Sequence, residues 1–255
     1  MAIKFNKLFL TTFLFAIFLP SYASSFLNNI PHQWYVQGNV GMSLQKASGT
    51  NSIGTGQTGY ADSYEVSSLA NATTFGLEGG LQFPRATTTP WFANYQLGLR
   101  YQQNLSAALK GTVTQYSDAA FLNYDYNYNV ASQRLLLMGR ADIYTWKGLS
   151  PFVELGLGYE MRSVSAYSET ALPGVDNPRQ SPAFSSSTGG GLSYLYGLGV
   201  RAKIKPNFWV ALSADMNGST SYKTGSGVAP AAPGGSLSNS VASQTVLLSV
   251  GYLFK

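Results

Sequence analysis

Segments in which apolar and polar residues alternate recur along the 255-residue chain, and they restrict the possible folds more than any other feature. In Val153–Arg162 the odd-numbered positions are all apolar, whereas the even-numbered ones are Glu, Gly, Gly, Glu and Arg. Successive side chains of a β-strand point to opposite faces, so this pattern predicts a strand with one apolar and one polar face. Nearly every charge within the alternating segments falls on the polar face of its strand.

Eight segments of this kind are predicted to be strands. They are Trp34–Leu44, Thr73–Phe83, Trp91–Gln102, Ser132–Trp146, Phe152–Ser163, Leu192–Ile204, Phe208–Asn217 and Gln244–Phe254. A strand of about 11 residues, tilted by roughly 45°, spans about 25 Å, which is the height of the apolar band of a transmembrane barrel.

The connections between these strands alternate in length. Short ones are Pro84–Pro90, Lys147–Pro151 and Lys205–Asn207, and long ones are Gln45–Ala72, Gln103–Ala131, Val164–Gly191 and Gly218–Ser243. Loops this long are uncommon in compact soluble domains, whereas short periplasmic turns with long extracellular loops are typical of membrane barrels. The predicted fold is therefore all-β: an eight-stranded antiparallel up-and-down transmembrane β-barrel with its apolar face outward.

The second long connection allows two interpretations. Asn123–Asn129 alternates strictly between asparagine or aspartate and tyrosine. It is either a plain polar loop or a hairpin that extends the third and fourth strands above the membrane.

Residues 1–23 have the features of a cleaved signal peptide, which leaves residues 24–255 as one barrel domain. Lys4 and Lys7 precede the apolar run Leu8–Leu19, and Ser21 and Ala23 place small residues at a cleavage site. Only 11% of residues are charged, against roughly 25% in typical soluble proteins. These features predict export and residence in a bacterial outer membrane. The chain contains no cysteine, which excludes disulfides and thiolate metal sites.

Aromatic residues mark the short-turn end of the predicted barrel. Trp34, Trp91, Trp146 and Trp209 all lie next to a short turn or the first strand, and they are predicted to form a girdle at the periplasmic interface. Strict alternation points Trp146 and Trp209 inward, so a girdle requires a bulge or a loose rim at these two positions.

The polar face of the strands is predicted to enclose an ion network. Its members are Glu78, Arg100, Arg134, Arg140, Asp142, Glu154, Glu160, Arg162, Arg201, Lys203 and Asp215. Eight strands leave an interior just wide enough for side chains to fill it, and buried charges must be paired. The near balance of six basic and five acidic residues therefore predicts a salt-bridged, mostly closed lumen.

The last strand ends in alternating apolar residues with a terminal aromatic, at Val250, Tyr252 and Phe254. In this respect the chain resembles bacterial outer-membrane barrels, whose final strand is read by the barrel assembly machinery. Over its whole mature length it is similar in architecture to opacity proteins and to the barrels of outer membrane proteins A and X. This resemblance implies action through surface loops, in adhesion or contact with a host or partner protein, or a role in envelope integrity. The alternative is a narrow channel for small solutes, similar to outer membrane protein W.

The sequence gives little support for catalysis, for a cofactor or metal, or for nucleic-acid binding. The single histidine, His32, precedes the first strand and has no evident acidic partner, so a general base for hydrolysis is not apparent. No cofactor or metal site is predicted. Basic residues do not cluster, which argues against nucleic acid. The expected partners are outer-membrane lipid and lipopolysaccharide, the assembly machinery, and an extracellular protein.

Overall fold

The computed structural model describes residues 32–84, 91–92, 94–176, 184–219, 222–227 and 234–254. The strands are β1 Gln33–Gly54, β2 Ala61–Pro84, β3 Asn94–Thr114, β4 Leu122–Asp142, β5 Leu149–Ala171, β6 Ser187–Lys205, β7 Phe208–Ser219, β8 Tyr222–Lys223 and β9 Ser238–Leu253. Two single-turn 3₁₀ helices, Gln115–Ser117 and Ala119–Phe121, join β3 to β4. The predicted signal peptide lies outside the described residues.

Eight of these strands form a closed antiparallel ring, which confirms the predicted fold class. Each of β1 to β6 pairs with its successor, β7 pairs with β9, and β9 returns to β1. The closing ladder runs from Tyr35 opposite Leu253 to Ser48 opposite Ser240. The two-residue β8 lies beside the first residues of β9. Closure pairs every strand on both sides at the level of the apolar band, where a free edge would be exposed.

Apolar side chains cover the outside of the lower barrel, next to the short turns. Leu155 and Leu198 are each 66% exposed, while Glu154, between Val153 and Leu155 in β5, is 1% exposed. The prediction that apolar residues point outward and polar residues inward is therefore confirmed in this region. Among the described residues, no helix is long and apolar enough to cross a membrane.

Most strands continue well beyond the predicted boundaries. β2 has 24 residues and β5 has 23, and a strand of that length tilted by about 40° rises about 60 Å, more than twice the height of an apolar band. The four long connections are correspondingly shorter than predicted, because the strands that flank them extend to Gly54 and Ala61, Thr114 and Leu122, Ala171 and Ser187, and Ser219 and Ser238. The predicted strands ended where the apolar residues move from the outward to the inward positions of the alternation.

The two faces of the sheet exchange polarity above the apolar band. In the lower part of β4, Arg134 is buried and Leu137 is exposed, whereas in the upper part Tyr126 is buried and Asp125 is exposed. Outward positions above the band meet water, so the same alternation now places polar residues outside and apolar residues inside. Of the two interpretations of the second long connection, the extended hairpin is the one the structure shows.

We call this upper part of the barrel the head. It comprises Ala47–Gly54, Ala61–Ala72, Ala107–Thr114, Leu122–Val130 and Val164–Ala171. A register irregularity between Asn104 and Ala107 shifts the inward positions of β3 from even to odd numbers as the strand enters the head. In β5, Ala166 has φ +53°, beside a second irregularity in the β4–β5 ladder. These two bulges keep the apolar residues of the head facing inward.

Candidate functional site: the filled lumen and the head

Five ionisable side chains form the central cluster of the lumen. The Arg100 guanidinium lies 2.7 Å from Glu78, 2.9 Å from Glu154 and 3.4 Å from Asp215. Arg140 binds Glu154 at 2.7 Å and lies 3.6 Å from Glu78. Strand register explains two of these pairs, because Glu78 is directly opposite Arg100 and Arg140 is directly opposite Glu154.

Further hydrogen bonds hold the central cluster in one arrangement. Tyr35 donates its hydroxyl to Glu78 at 2.7 Å, and Arg140 donates to the amide oxygens of Gln37 at 3.0 Å and Gln96 at 2.8 Å. Arg100 is 1% exposed and Arg140 is 6% exposed. Charges this deeply buried are tolerated only when paired and hydrogen-bonded, so the members of the cluster depend on one another to remain in the interior.

A second ion cluster lies nearer the head. Glu160 accepts from Arg134 at 3.0 Å and from Arg162 at 2.8 Å. Arg134 also reaches Ser243 of β9 at 3.3 Å, and the Arg162 guanidinium lies over the Tyr222 ring at 5.2 Å. On β4, the buried apolar side chains of Leu136 and Met138, which lie opposite Gly158 and Gly156 of β5, separate this cluster from the central one.

The third group lies at the short-turn end. Arg201 pairs with Asp142, which also accepts from the Asn94 amide at 3.0 Å. Lys203 was predicted to belong to the lumen network, and the structure contradicts this, because its side chain is exposed. β6 leaves the barrel two residues later, at Lys205, so an inward position at Lys203 no longer has a closed interior to enter.

Aromatic residues form a floor beneath the central cluster. Tyr35, Phe152 and Trp209 pack together with Ala211 and Leu253. Arg140 lies over the Phe152 ring at 4.8 Å, and Arg201 lies 5.6 Å from the Trp209 ring centre. A cavity of about 120 Å³ remains below the floor and is lined in part by Asp142, Arg201 and Trp209.

The predicted tryptophan girdle needs one correction. Trp34, Trp91 and Trp146 are 46%, 54% and 56% exposed, but Trp209 is 2% exposed and lies inside the lumen. Trp209 is the second residue of β7 and follows the inward alternation, and its indole occupies the space that a side chain at Gly251 would need. Trp146 lies outside β4, in the turn before β5, which explains why strict alternation does not apply to it.

A tyrosine-rich core fills the head. Tyr126 stacks on Tyr128 at 6.1 Å and on Tyr167 at 5.7 Å, while Tyr64 meets Phe184 edge-on at 5.3 Å. All five rings are buried, and burial raises the pKa of Tyr126 and of Tyr167 above the ordinary tyrosine value. In the sequence, the strict alternation of Asn123–Asn129 is the signal for this core.

The remaining predicted residues lie at the short-turn end. Val250, Tyr252 and Phe254 point outward and are 45%, 45% and 48% exposed, with the last two rings in edge contact at 5.2 Å. Their reading by an assembly machinery stays a prediction. His32 lies at the same end, with its ring 6.4 Å from that of Phe83. In the described part of the chain, no three histidine or acidic side chains come together as a metal site.

Comparison with known proteins agrees with this architecture. The model of the family described as outer membrane protein beta-barrel domain matches residues 9–254. No curated protein matches the chain.

Similar solved structures are small outer-membrane barrels. Neisserial surface protein A is 14% identical, with 87% of this chain and 97% of that chain covered and a TM-score of 0.45. Outer membrane protein OprG from Pseudomonas aeruginosa is 15% identical, with 88% and 97% covered and a TM-score of 0.45. The attachment invasion locus protein of Yersinia pestis is 15% identical, with 86% and 98% covered and a TM-score of 0.37. The family match over nearly the whole chain establishes that this protein is a bacterial outer-membrane β-barrel protein of the outer membrane protein beta-barrel domain family.

Proposed function

We propose that this protein is a closed surface barrel that uses the tip of its head to bind an extracellular protein, as in adhesion. The observation that carries the proposal is an exposed aromatic cluster at the tip. Tyr60, Tyr116 and Phe121 are 53%, 47% and 45% exposed, and their rings meet edge-on at 5.5 Å and 5.8 Å. Aromatic residues are enriched in protein interfaces, where they supply rigid contact area.

Polar contacts fix the cluster in position. Asp62 is buried and accepts from the backbone N–H of Tyr116 at 3.0 Å, and Ser117 donates its hydroxyl to the carbonyl of Ala61 at 2.9 Å. Tyr116 and Ser117 both have positive φ, at 57° and 54°. Two adjacent non-glycine residues in this conformation represent strain, which persists where the surroundings enforce it and is often found at binding sites.

The interior supports binding at the surface over transport. Side chains fill the lumen from the short turns to the head. The aromatic floor comes first, then the central ion cluster, the apolar residues, the second ion cluster and finally the tyrosine core. A solute would have to displace paired buried charges, whose separation is costly. A narrow channel is therefore disfavoured, and single-channel current through wild type in a planar bilayer would be the evidence for it.

We expect surface expression of the protein to increase bacterial attachment to plates coated with fibronectin, laminin or collagen. Substituting Tyr60, Tyr116 and Phe121 together by serine should reduce that attachment at least fivefold, because hot spots in interfaces are concentrated in such rings. A matched control replaces Thr112 and Asn127, on the sides of the head, by alanine. Attachment that is absent on all three coatings, or equal for wild type and the triple variant, would contradict tip-mediated adhesion.

A further inference from the structure

A groove opens on the outer wall of the barrel where β7 ends. β7 has 12 residues, whereas its neighbours β6 and β9 have 19 and 16. Among the described residues, β7 pairs with β9 as far as Asn217 opposite Ser243, and β8 pairs with β9 at Tyr222 opposite Asn239. The resulting groove has a volume of about 350 Å³.

One side of the groove is apolar and the other is mixed. Tyr194, Tyr196 and Met216 point outward along one side and are 55%, 49% and 46% exposed, and the Tyr196 hydroxyl lies 3.2 Å from the Met216 sulfur. On the other side, β9 lines the groove with the apolar Val241 and Ala242 and with the polar residues Ser240, Ser243 and Gln244. The ring of Tyr194 lies across Gly218, in space that a side chain there would need.

The groove lies at the upper boundary of the apolar band. On β9 the outward residues change from Leu248 and Val246, both apolar and exposed, to Gln244 and Ser240. Tyrosines such as Tyr194 are favoured at this depth, where one end of the ring meets lipid and the other meets water. The groove is thus continuous with the lipid-facing surface and ends at the level of the outer-leaflet headgroups.

Cations flank the groove on the side of the head. Lys46 of β1 is exposed and directly opposite Ala242, a groove-lining residue, and Lys223 of β8 is also exposed. Among the described residues of β1, β6, β7, β8 and β9, the single acid is Asp215, which points into the lumen. On β2 the exposed acid Glu65 lies opposite Thr50, four rungs above Lys46.

We propose that this groove holds one acyl chain of a lipid A molecule whose phosphate is bound by Lys46. An acyl chain suits the apolar side of the groove, formed by Tyr194, Tyr196 and Met216 and open to lipid. A phosphate monoester suits the Lys46 ammonium, because neither β1 nor the described strands around the groove carry an outward-facing acid. Lipid A is the outer-leaflet lipid that combines both features. The inference is independent of the adhesion proposal, since it concerns a different surface.

The proposal can be tested with the refolded chain in a nonionic detergent and Kdo2-lipid A as the probe, with bound lipid counted by native mass spectrometry. We expect wild type to retain one lipid A molecule, Ala242→Trp to reduce retention about tenfold by filling the groove, and Lys46→Gln to reduce it about fivefold. Matched controls are Ala108→Trp and Lys110→Gln, which change exposed residues of β3, and both should behave as wild type. Folding of each variant is checked by heat-modifiable gel migration.

Equal retention by wild type, Ala242→Trp and Lys46→Gln would overturn the site. Equal retention of dimyristoylphosphatidylcholine and lipid A by wild type would overturn the phosphate assignment, because a zwitterionic headgroup would then serve as well. If Ala242→Trp does not fold, the Lys46→Gln and Lys110→Gln pair decides the outcome, since both side chains are exposed.

Discussion

Replacing Arg100 with alanine is expected to lower the free energy of unfolding of the barrel by about 3–5 kcal/mol, the range measured when one partner of a buried ion pair is removed. Arg100 is 1% exposed and neutralises parts of Glu78, Glu154 and Asp215, so its loss leaves three buried carboxyl groups with Arg140 as the basic member of the cluster. Arg100→Lys should lie between wild type and Arg100→Ala, because an ammonium keeps the charge but cannot reproduce the forked contact with Glu154. Urea titration of the protein refolded into lipid vesicles measures the difference.

Lys110→Ala serves as the control for Arg100→Ala, because this exposed residue should change stability by no more than about 0.5 kcal/mol. Planar-bilayer recording gives a second readout: wild type and Lys110→Ala should be silent, whereas a folded Arg100→Ala barrel should pass current through the space left in the lumen. Stability within about 0.5 kcal/mol of wild type, together with silence in the bilayer, would contradict a closing role for the central cluster.

Replacing Tyr126 with alanine is expected to open the head while leaving the apolar band intact. The Tyr126 ring is 1% exposed and stacks on Tyr128 and Tyr167, and truncating a buried aromatic of this size typically costs about 3–5 kcal/mol. Limited digestion with trypsin measures the effect, because Lys110 lies in a paired strand of the head. The variant should be cleaved at Lys110 at least tenfold faster than wild type and keep its heat-modifiable migration.

The variant Tyr126→Phe distinguishes the contribution of the ring from that of the hydroxyl. The Tyr126 hydroxyl is buried without a hydrogen-bond partner in the structure, so this variant should match wild type or be slightly more resistant. Tyr116→Ala, at the exposed tip, should leave digestion at Lys110 unchanged. Equal cleavage rates for wild type and Tyr126→Ala would show that the tyrosine core does not hold the head together.

Alternation in the sequence was sufficient to predict the barrel and, with the exception of Lys203, which strand charges point inward, because the two-residue period of a strand assigns each side chain to a face. It could not predict which charges pair. Arg100 of β3 meets Asp215 of β7 across the lumen, at a sequence separation of 115 residues. These strands are not neighbours in the sheet, so pairing between adjacent strands does not predict the contact. Lys203 and Trp209 were placed wrongly for a related reason, because the ends of β6 and β7 decide whether an inward position still has an enclosed interior.

The sequence left the hairpin of the head as one of two interpretations and did not predict the rest of the head, because the polarity of the two strand faces inverts at its base. Tyr124, Tyr126 and Tyr128 occupy the same parity as Arg134 and Arg140, so an apolar-out criterion applied throughout β4 ends the strand near Val130. The bulge between Asn104 and Ala107 adds a change of parity that cannot be located without the partner strand. Strict alternation that continues through such an inversion, as in Asn123–Asn129, is the sequence signal that favours the hairpin over the polar loop.

Backbone hydrogen exchange in the segments Ala107–Thr114 and Leu122–Val130 tests most directly whether the barrel continues above the membrane as a closed, filled head. With the refolded protein in lipid, we expect these amides to remain protected for hours, as in Val36–Leu44 of the apolar band, because they belong to continuous strand ladders with a buried core. Complete exchange of both segments within seconds, beside a protected Val36–Leu44, would show that they are loops and would contradict the head.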